Sequence, residues 1–215
     1  MKTLFKLIPS GSKGKKWDAT SGEILPETAA LHFIPLSELV FTEKIDGTNM
    51  GIRVTNGLVT HIQKREHICI REDKTDTFYF EVGDMISKII EDKKIEQLKD
   101  VIIYGELCGE KIQKGGNYFP CRKFIIFDIY DTTLNRFFTW DAVTHFAAEL
   151  GIETVPEINY DKADLSVANV KEFILGQKSV FNPDFGAEGM VIRHRKDTLP
   201  FRRWMAKIRK KDFNP

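Results

Sequence analysis

Cysteine is scarce in this sequence: three residues in 215, Cys69, Cys108 and Cys121, an odd number with no Cys-x-x-Cys pair. That excludes a disulfide framework and a cysteine-rich zinc site, and predicts reduced thiols. His67 and Cys69 offer two metal ligands, but nothing beside them completes a set of four. Missing too is any apolar run near the roughly 20 residues that cross a bilayer, and residues 1–16 lack the uninterrupted apolar stretch of a secretory signal. We therefore expect no membrane partner and a cytoplasmic location. With 15 Gly and 8 Pro against 42% hydrophobic residues, collagen-like, low-complexity and wholly disordered classes are excluded as well. A chain this long has interior enough for one unaided domain, or one plus a small appendage.

Net charge is also small, +1, which argues against a protein that coats nucleic acid wholesale. Its distribution is uneven. Residues 193–211 hold nine Lys or Arg against one acid, Asp197, so this stretch carries +8 and the remainder −7. Trp204, Met205, Ala206 and Ile208 interrupt the basic run, which therefore reads as part strand and part phosphate-binding surface rather than as a solvated tail.

Along the chain, residues 1–32 read as an irregular N-terminal segment, with glycine, serine and lysine clustered over 9–30, and residues 33–215 as the folded domain. Strand-like runs at 50–55 and 58–64 flank Asn56-Gly57, a pair whose tolerance of positive φ suits a tight hairpin turn. Helical patterns cover 76–99, 140–150 (capped by Thr139, stopped by Gly151) and 167–175 (capped by Ser166, stopped by Gly176). Further strand-like runs lie at 101–107, 123–130, 187–193 and 204–208. Strands and helices do not alternate as βαβ units, so the fold class is α+β on antiparallel sheet with flanking helices.

Five short pieces carry chemistry. Before the hairpin, Glu43-Lys44-Ile45-Asp46-Gly47-Thr48-Asn49 presents one amine on a glycine-containing turn. With 56 and 57 as turn residues, opposed positions sum to 113, which sets Arg65 opposite Thr48 and Lys64 opposite Asn49. A guanidinium so placed can hold a phosphate near the lysine loop. Gly105-Glu106 ends an apolar strand with an accessible carboxylate, and Phe127-Asp128 lies in a strand buried on both faces. Alternation keeps Phe127 and Asp128 from touching one ligand together; Phe127 is the expected contact. Glu188 lies in the strand-like run over 187–193 and shares a face with Met190 and Ile192, a core-like face that is costly for an acid unless it meets a metal or a cation. Lys207 and Arg209 stand two apart on one strand face, a pair of cations suited to clamp phosphate.

In this order the five pieces resemble the covalent nucleotidyltransferases, polynucleotide ligases and mRNA capping enzymes, over residues 43–209. Thr48-Asn49 looks like the ATP-dependent RNA ligase branch, since DNA ligases and capping enzymes usually show arginine where Asn49 stands. The resemblance implies an adenylation-domain fold with a nucleotide cleft between sheets. It implies ATP as adenylate donor, Mg2+ or Mn2+ as cofactor, and RNA ends or a nicked RNA-containing duplex as partner. Lys44 would attack the α-phosphorus, and the AMP would pass to a 5′-phosphate end before a 3′-hydroxyl displaces it.

By the same resemblance Lys44, Glu188, Lys207 and Arg209 are the catalytic set. Glu43, Ile45, Asn49, Arg65, Glu106, Phe127 and Lys207 bind the nucleotide, with Glu106 on the ribose and Phe127 stacked on adenine. Glu188 holds the metal, with Asp128 as a second ligand through water. Arg193, Arg195, Lys196, Arg202 and Arg203 contact the nucleic-acid backbone. A lysine of ordinary pKa near 10.4 is uncharged in only about one molecule in a few thousand at neutral pH, so such a site must disfavour the ammonium. Two departures stand out: Arg209 replaces the lysine usual at that position, and only six residues follow it where ligases usually continue into an OB fold or another accessory domain. The expectation is a core without such a domain, served by base pairing or an accessory protein. A DNA ligase core, or a non-catalytic RNA- or nucleotide-binding module, are the competing readings.

Overall fold

The computed structural model describes residues 1–5, 8–9, 17–18, 24–65, 67–93, 100–110, 112, 118–199 and 203–213. In chain order its strands and helices are β1 (Lys2–Thr3), β2 (Ile8–Pro9), β3 (Trp17–Asp18), β4 (Leu39–Lys44), β5 (Thr48–Thr55), β6 (Leu58–Lys64), β7 (His67–Ile68), α1 (Thr77–Lys93), β8 (Asp100–Cys108), β9 (Lys123–Asp131), β10 (Arg136–Phe137), α2 (Trp140–Leu150), α3 (Val167–Gly176), β11 (Gly189–His194) and β12 (Met205–Arg209). They form two compact units, one from Met1–Ile45, Val155–Asp197 and Phe201–Pro215, the other from Asp46–Thr154 and Thr198–Pro200.

The first unit is built on a sheet of order β1-β12-β11-β4. β11 is antiparallel to both neighbours, while β1 runs parallel to β12, a departure from an all-antiparallel sheet. The expected irregular segment thus includes a short strand at its start, and Leu4 and Phe5 beyond it are buried in this unit's core. One sheet face, carrying Leu39, Phe41, Met190, Ile192, Ala206 and Ile208, packs with Val170 and Ile174 of α3. Alternation along each strand therefore commits the odd-numbered residues of β4 and the even-numbered ones of β11 and β12 to the interior, and turns the other row away from it.

The second unit carries a six-stranded sheet of order β10-β9-β8-β5-β6-β7, antiparallel throughout. Asn56 and Gly57 take positive φ, 50° and 76°, and close the β5–β6 hairpin as the dipeptide requires. Helix α2 starts where Thr139 accepts from the Ala142 N–H and ends at Gly151 with φ of 72°. Ser166 likewise accepts from the Asn169 N–H to start α3 in the first unit, but that helix runs through Gly176 and ends at Gln177. α1 is described to Lys93; the final residues of the helix expected over 76–99 lie outside the described residues.

Two bulges alter the register that strict pairing predicts. Between Arg53 and Val54 the β5–β6 pairing slips by one, so Lys64 opposes Met50 rather than Asn49. The β8–β9 pairing slips between Tyr104 and Gly105, leaving Phe127 without an opposed residue because Tyr104 faces Asp128 and Gly105 faces Ile126. A bulge adds one residue to one strand and re-aims its side chains, so simple alternation does not carry through residue 127.

Candidate active site

In the first unit the register fixes where the charges stand. Gly189 pairs with Lys44 on one side and with Arg209 on the other, and Val191 likewise pairs with Thr42 and Lys207. Opposed residues share a face, so Lys44, Lys207 and Arg209 occupy the row turned away from the core. Two inter-strand spacings put the Lys44 and Arg209 backbones about 10 Å apart, within the span of their long side chains. Gly189 keeps the strands at this spacing: a Cβ there would lie 2.0 Å from the Ile208 carbonyl oxygen and 2.7 Å from the Arg209 Cα.

Glu188 enters from the loop just before β11. Its Oε2 accepts from Lys44 Nζ at 2.5 Å, with about a fifth of each side chain exposed. Glu188 therefore does not share the core face of Met190 and Ile192 as strict alternation predicts: it lies outside β11, is half-buried, and its cation is Lys44 of the row turned away from the core. Nζ also reaches the carbonyl of Ile45 at 3.4 Å, a residue that is itself buried. Burial, and after it the charges of Arg209 and Lys44, hold the Lys207 pKa below its usual value, while Glu188 and Asp212 pull it back.

Asp212 is the residue the sequence reading missed. It is 1% exposed, and its carboxylate accepts from the Arg209 backbone N–H at 2.9 Å, from Nη2 at 2.8 Å and from Nε at 3.2 Å. The only sequence signal was an acid three residues past Arg209, hidden behind Lys210-Lys211. Arg209 therefore enters the row with one edge of its guanidinium fixed.

Glu43 lies on the opposite face from Lys44 and is 1% exposed. Its Oε2 accepts from the Val180 N–H at 2.7 Å, and Oε1 is buried with no hydrogen-bond partner. Burial raises its pKa, against hydrogen bonds from Ser179 and Val180 and the charge of Lys210 that lower it. Lys210 Nζ meanwhile donates to the Gln177 carbonyl at 2.5 Å, beside the 177–187 loop closed by the Lys178–Gly186 bridge.

The second unit gathers its own set. Asn49 opposes Glu106 across β5 and β8, both half-buried, and the Arg65 N–H donates to the Asn49 carbonyl at 3.1 Å. Arg65 thus sits at Asn49 rather than opposite Thr48, the consequence of the first bulge, and it turns the chain with a φ of 50°. Gly47 explains why the lysine loop packs so close to Glu106: a Cβ at 47 would fall 2.5 Å from the Leu107 carbonyl oxygen and 2.8 Å from Glu106 Cγ. Tyr118, not singled out from sequence, accepts from the Asp46 N–H at 3.1 Å.

Asp128 differs from the expectation of a metal ligand. It is 4% exposed, faces Tyr104 across the sheet and accepts from the Ile129 N–H at 3.2 Å, so burial favours an aspartate satisfied inside the sheet. The expected nucleic-acid contacts also divide. Arg193 is 3% exposed within β11, which removes it from any surface contact, and Arg195 donates to Glu157 at 3.2 Å. Lys196 is exposed, Arg203 is half-buried, and Arg202 lies outside the described residues.

Comparison with known proteins follows these rows. The sequence profile of the family described as RNA ligase matches residues 37–209, from before β4 to the end of β12. The chain belongs to the RNA ligase family. Among solved structures, an apo form of a Naegleria gruberi RNA ligase is similar over 99% of this chain, with a TM-score of 0.68 and 17% identity. A variant of that ligase with ATP and Mn gives a TM-score of 0.67 at 17% identity, and the same ligase with PPi gives 0.63 at 20%. These likenesses show a shared fold, antiparallel sheets with helices against them. The chain spans 60% of the length of each of those three ligase chains. No curated protein matches it significantly in sequence. Among the described residues, no helix is long and apolar enough to cross a membrane.

Proposed function

We propose that this RNA ligase family member is an ATP-dependent RNA ligase that joins 3′-hydroxyl and 5′-phosphate ends through a covalent lysyl-AMP on Lys44. The observation that carries this reading is the row formed by Lys44, Lys207 and Arg209 around Gly189, with Glu188 bonded to the Lys44 amine. A polyanionic triphosphate needs its charge neutralised and its α-phosphorus held in line with the nucleophile, which is chiefly electrostatic and positional work. Lys207 and Arg209 supply cations on the face that carries Lys44. The amine attacks after losing its proton, pyrophosphate leaves, and AMP remains bonded to Nζ.

Glu188 gives a metal one carboxylate, and among the described residues no cluster of three or more His, Cys, Asp or Glu gathers to hold an ion. That donor set fits magnesium or manganese arriving with the substrate, since Mg2+ is commonly held by one or two carboxylates with phosphate oxygens and water. When bound, the ion would neutralise charge on the phosphates. Glu188 would hold it, and Asp128, being buried, drops from the set.

The remaining roles follow the family resemblance. Glu106 bonds the ribose hydroxyls, Asn49 and Arg65 line the phosphate end, Phe127 stacks on adenine, and Ile45 borders the base. Glu43, expected to accept from the adenine amino group, is 1% exposed on the face opposite Lys44 and drops from the set on the same ground as Asp128. The test is ligation: with ATP and magnesium, the protein should join a 5′-phosphorylated RNA to an RNA 3′-hydroxyl, intermolecularly or across a nick. Preference for a DNA 3′-hydroxyl over RNA would instead favour a DNA ligase.

A further inference from the structure

The face of the second unit's sheet that carries Asn49 and Glu106 continues beyond them toward the β6–β7 edge. Past Asn49, alternation along β5 turns Gly51 and Arg53 to the same side, and the pairing sets Gln63 opposite Gly51 and His61 opposite Arg53. Ile102 of β8 opposes Arg53 from the other flank, and Ile68 of β7 closes the edge. These six residues line a pocket of about 200 Å3. The face whose residues are Met50, Ile52 and Val54 is buried, whereas Arg53, His61 and Ile68 are exposed, Ile68 by 64%.

The lining points to one kind of ligand. Arg53 offers a planar fork of donors that matches phosphate, His61 and Gln63 offer groups that donate or accept, and Ile68 and Ile102 offer apolar contact to a flat ring. Gly51 makes the floor: a side chain there would press on Gln63 and Tyr104 at 3.0 and 3.1 Å. At about 200 Å3 the pocket falls below the roughly 300–1,000 Å3 of sites for free small molecules, so it suits one phosphoryl group of a longer chain, with the attached nucleoside at its rim beside the exposed Ile68. It also adjoins the proposed phosphate end, because Gln63 Nε2 donates to the Arg65 carbonyl at 3.4 Å. Meanwhile the basic run expected to hold nucleic acid has Arg193 buried and Arg195 engaged with Glu157.

We infer that the Gly51–Arg53–His61–Gln63–Ile68–Ile102 pocket is an RNA subsite, taking one phosphate of the strand on Arg53 and its nucleoside against Ile68 and Ile102. The inference rests on the ligase reading for its choice of ligand, and on no residue of the proposed catalytic set. It separates strand binding from adenylate chemistry: Arg53 and Ile68 act on RNA affinity, and Lys44 labelling proceeds without them.

The experiment titrates the full chain with a fluorescent RNA oligonucleotide blocked at both ends, across a range of salt, for wild type and for Arg53→Glu, Arg53→Lys and Ile68→Asp. Labelling of Lys44 by ATP is followed in parallel and reports an intact fold. Arg53→Glu should weaken binding roughly tenfold or more and lower the slope of log K against log salt by about 0.7, the share of one phosphate contact on a single strand. Arg53→Lys should keep that slope, and Ile68→Asp should weaken binding while labelling stays at the wild-type rate. Wild-type affinity and slope in both Arg53→Glu and Ile68→Asp, with Lys44 labelled normally, would overturn the subsite. So would an equal loss of slope in Arg53→Lys and Arg53→Glu. Failure of the ligase reading has the opposite signature, RNA binding that depends on Arg53 with no label on wild-type Lys44.

Discussion

Lys44 and Glu188, 144 residues apart in sequence, meet through a 2.5 Å hydrogen bond because β4 and β11 are neighbours whose register pairs Lys44 with Gly189. One carboxylate thereby serves the proposed nucleophile and the proposed metal. Replacing it with the neutral isostere, Glu188→Gln, keeps the shape and removes the charge. Adenylate transfer to Lys44 should fall by about 10–100-fold and need more magnesium for half-maximal labelling. A magnesium titration of labelling in the variant checks this; an unchanged midpoint would detach Glu188 from the metal.

Gly189 is required by spacing. A methyl group there would lie 2.0 Å from the Ile208 carbonyl oxygen, backbone that yields only if β12 shifts away. Gly189→Ala should cost about 1–3 kcal/mol, visible as a lower denaturant midpoint, and should impair labelling by moving Lys207 and Arg209 with their strand.

Lys207 gives a pH signature. Its folded pKa lies below the usual 10.5, chiefly through burial and next through Arg209 and Lys44. The unfolded chain therefore binds this proton more tightly, and between the folded value and 10.5 the residue's contribution to stability rises with pH. Its grip on phosphate moves the other way and is lost as pH climbs through the folded value. The KM for ATP should rise at alkaline pH, and in Lys207→Arg that rise should shift to higher pH because the guanidinium stays charged. Identical alkaline limbs in the two proteins would refute the assignment.

Glu43 has the reverse sign. Burial raises its pKa above 4.5, so the folded chain holds a proton that the unfolded chain gives up. The stability this contributes is present below 4.5 and is lost as pH rises through the folded value. Glu43→Gln should flatten the dependence of Tm on pH across that window, as measured by thermal melts from acid to neutral pH, while its amide oxygen can still accept from the Val180 N–H.

Asp212→Ala removes the acceptor for three Arg209 donors, the backbone N–H, Nη2 and an Nε shared between both carboxylate oxygens. Because Arg209 is 23% exposed and water replaces part of what is lost, the cost should be about 1–3 kcal/mol in denaturant unfolding.

What could be read from the sequence was whatever local chemistry determines. Asn56-Gly57 turned where a positive-φ pair must, Thr139 and Gly151 bounded α2, and the spacing of Lys207 and Arg209 put both on one strand face. Alternation did not announce the two bulges, since an extra residue at a strand junction has no compositional mark here; they moved Arg65 to Asn49 and left Phe127 unopposed. Long-range pairing was equally silent. That β11 would sit between β4 and β12, and that Arg193 would be buried there rather than offered to a nucleic acid, depends on packing between segments about 150 residues apart in sequence. Asp212 was hidden for a simpler reason, as one acid behind a run of cations whose net charge dominated the reading.

The most direct test of the account is peptide mapping after incubation with α-labelled ATP and magnesium. The account predicts AMP on the peptide containing Lys44, stable to denaturation, released by pyrophosphate and absent from Lys44→Ala. Label on another residue, or label that survives Lys44→Ala, would contradict it.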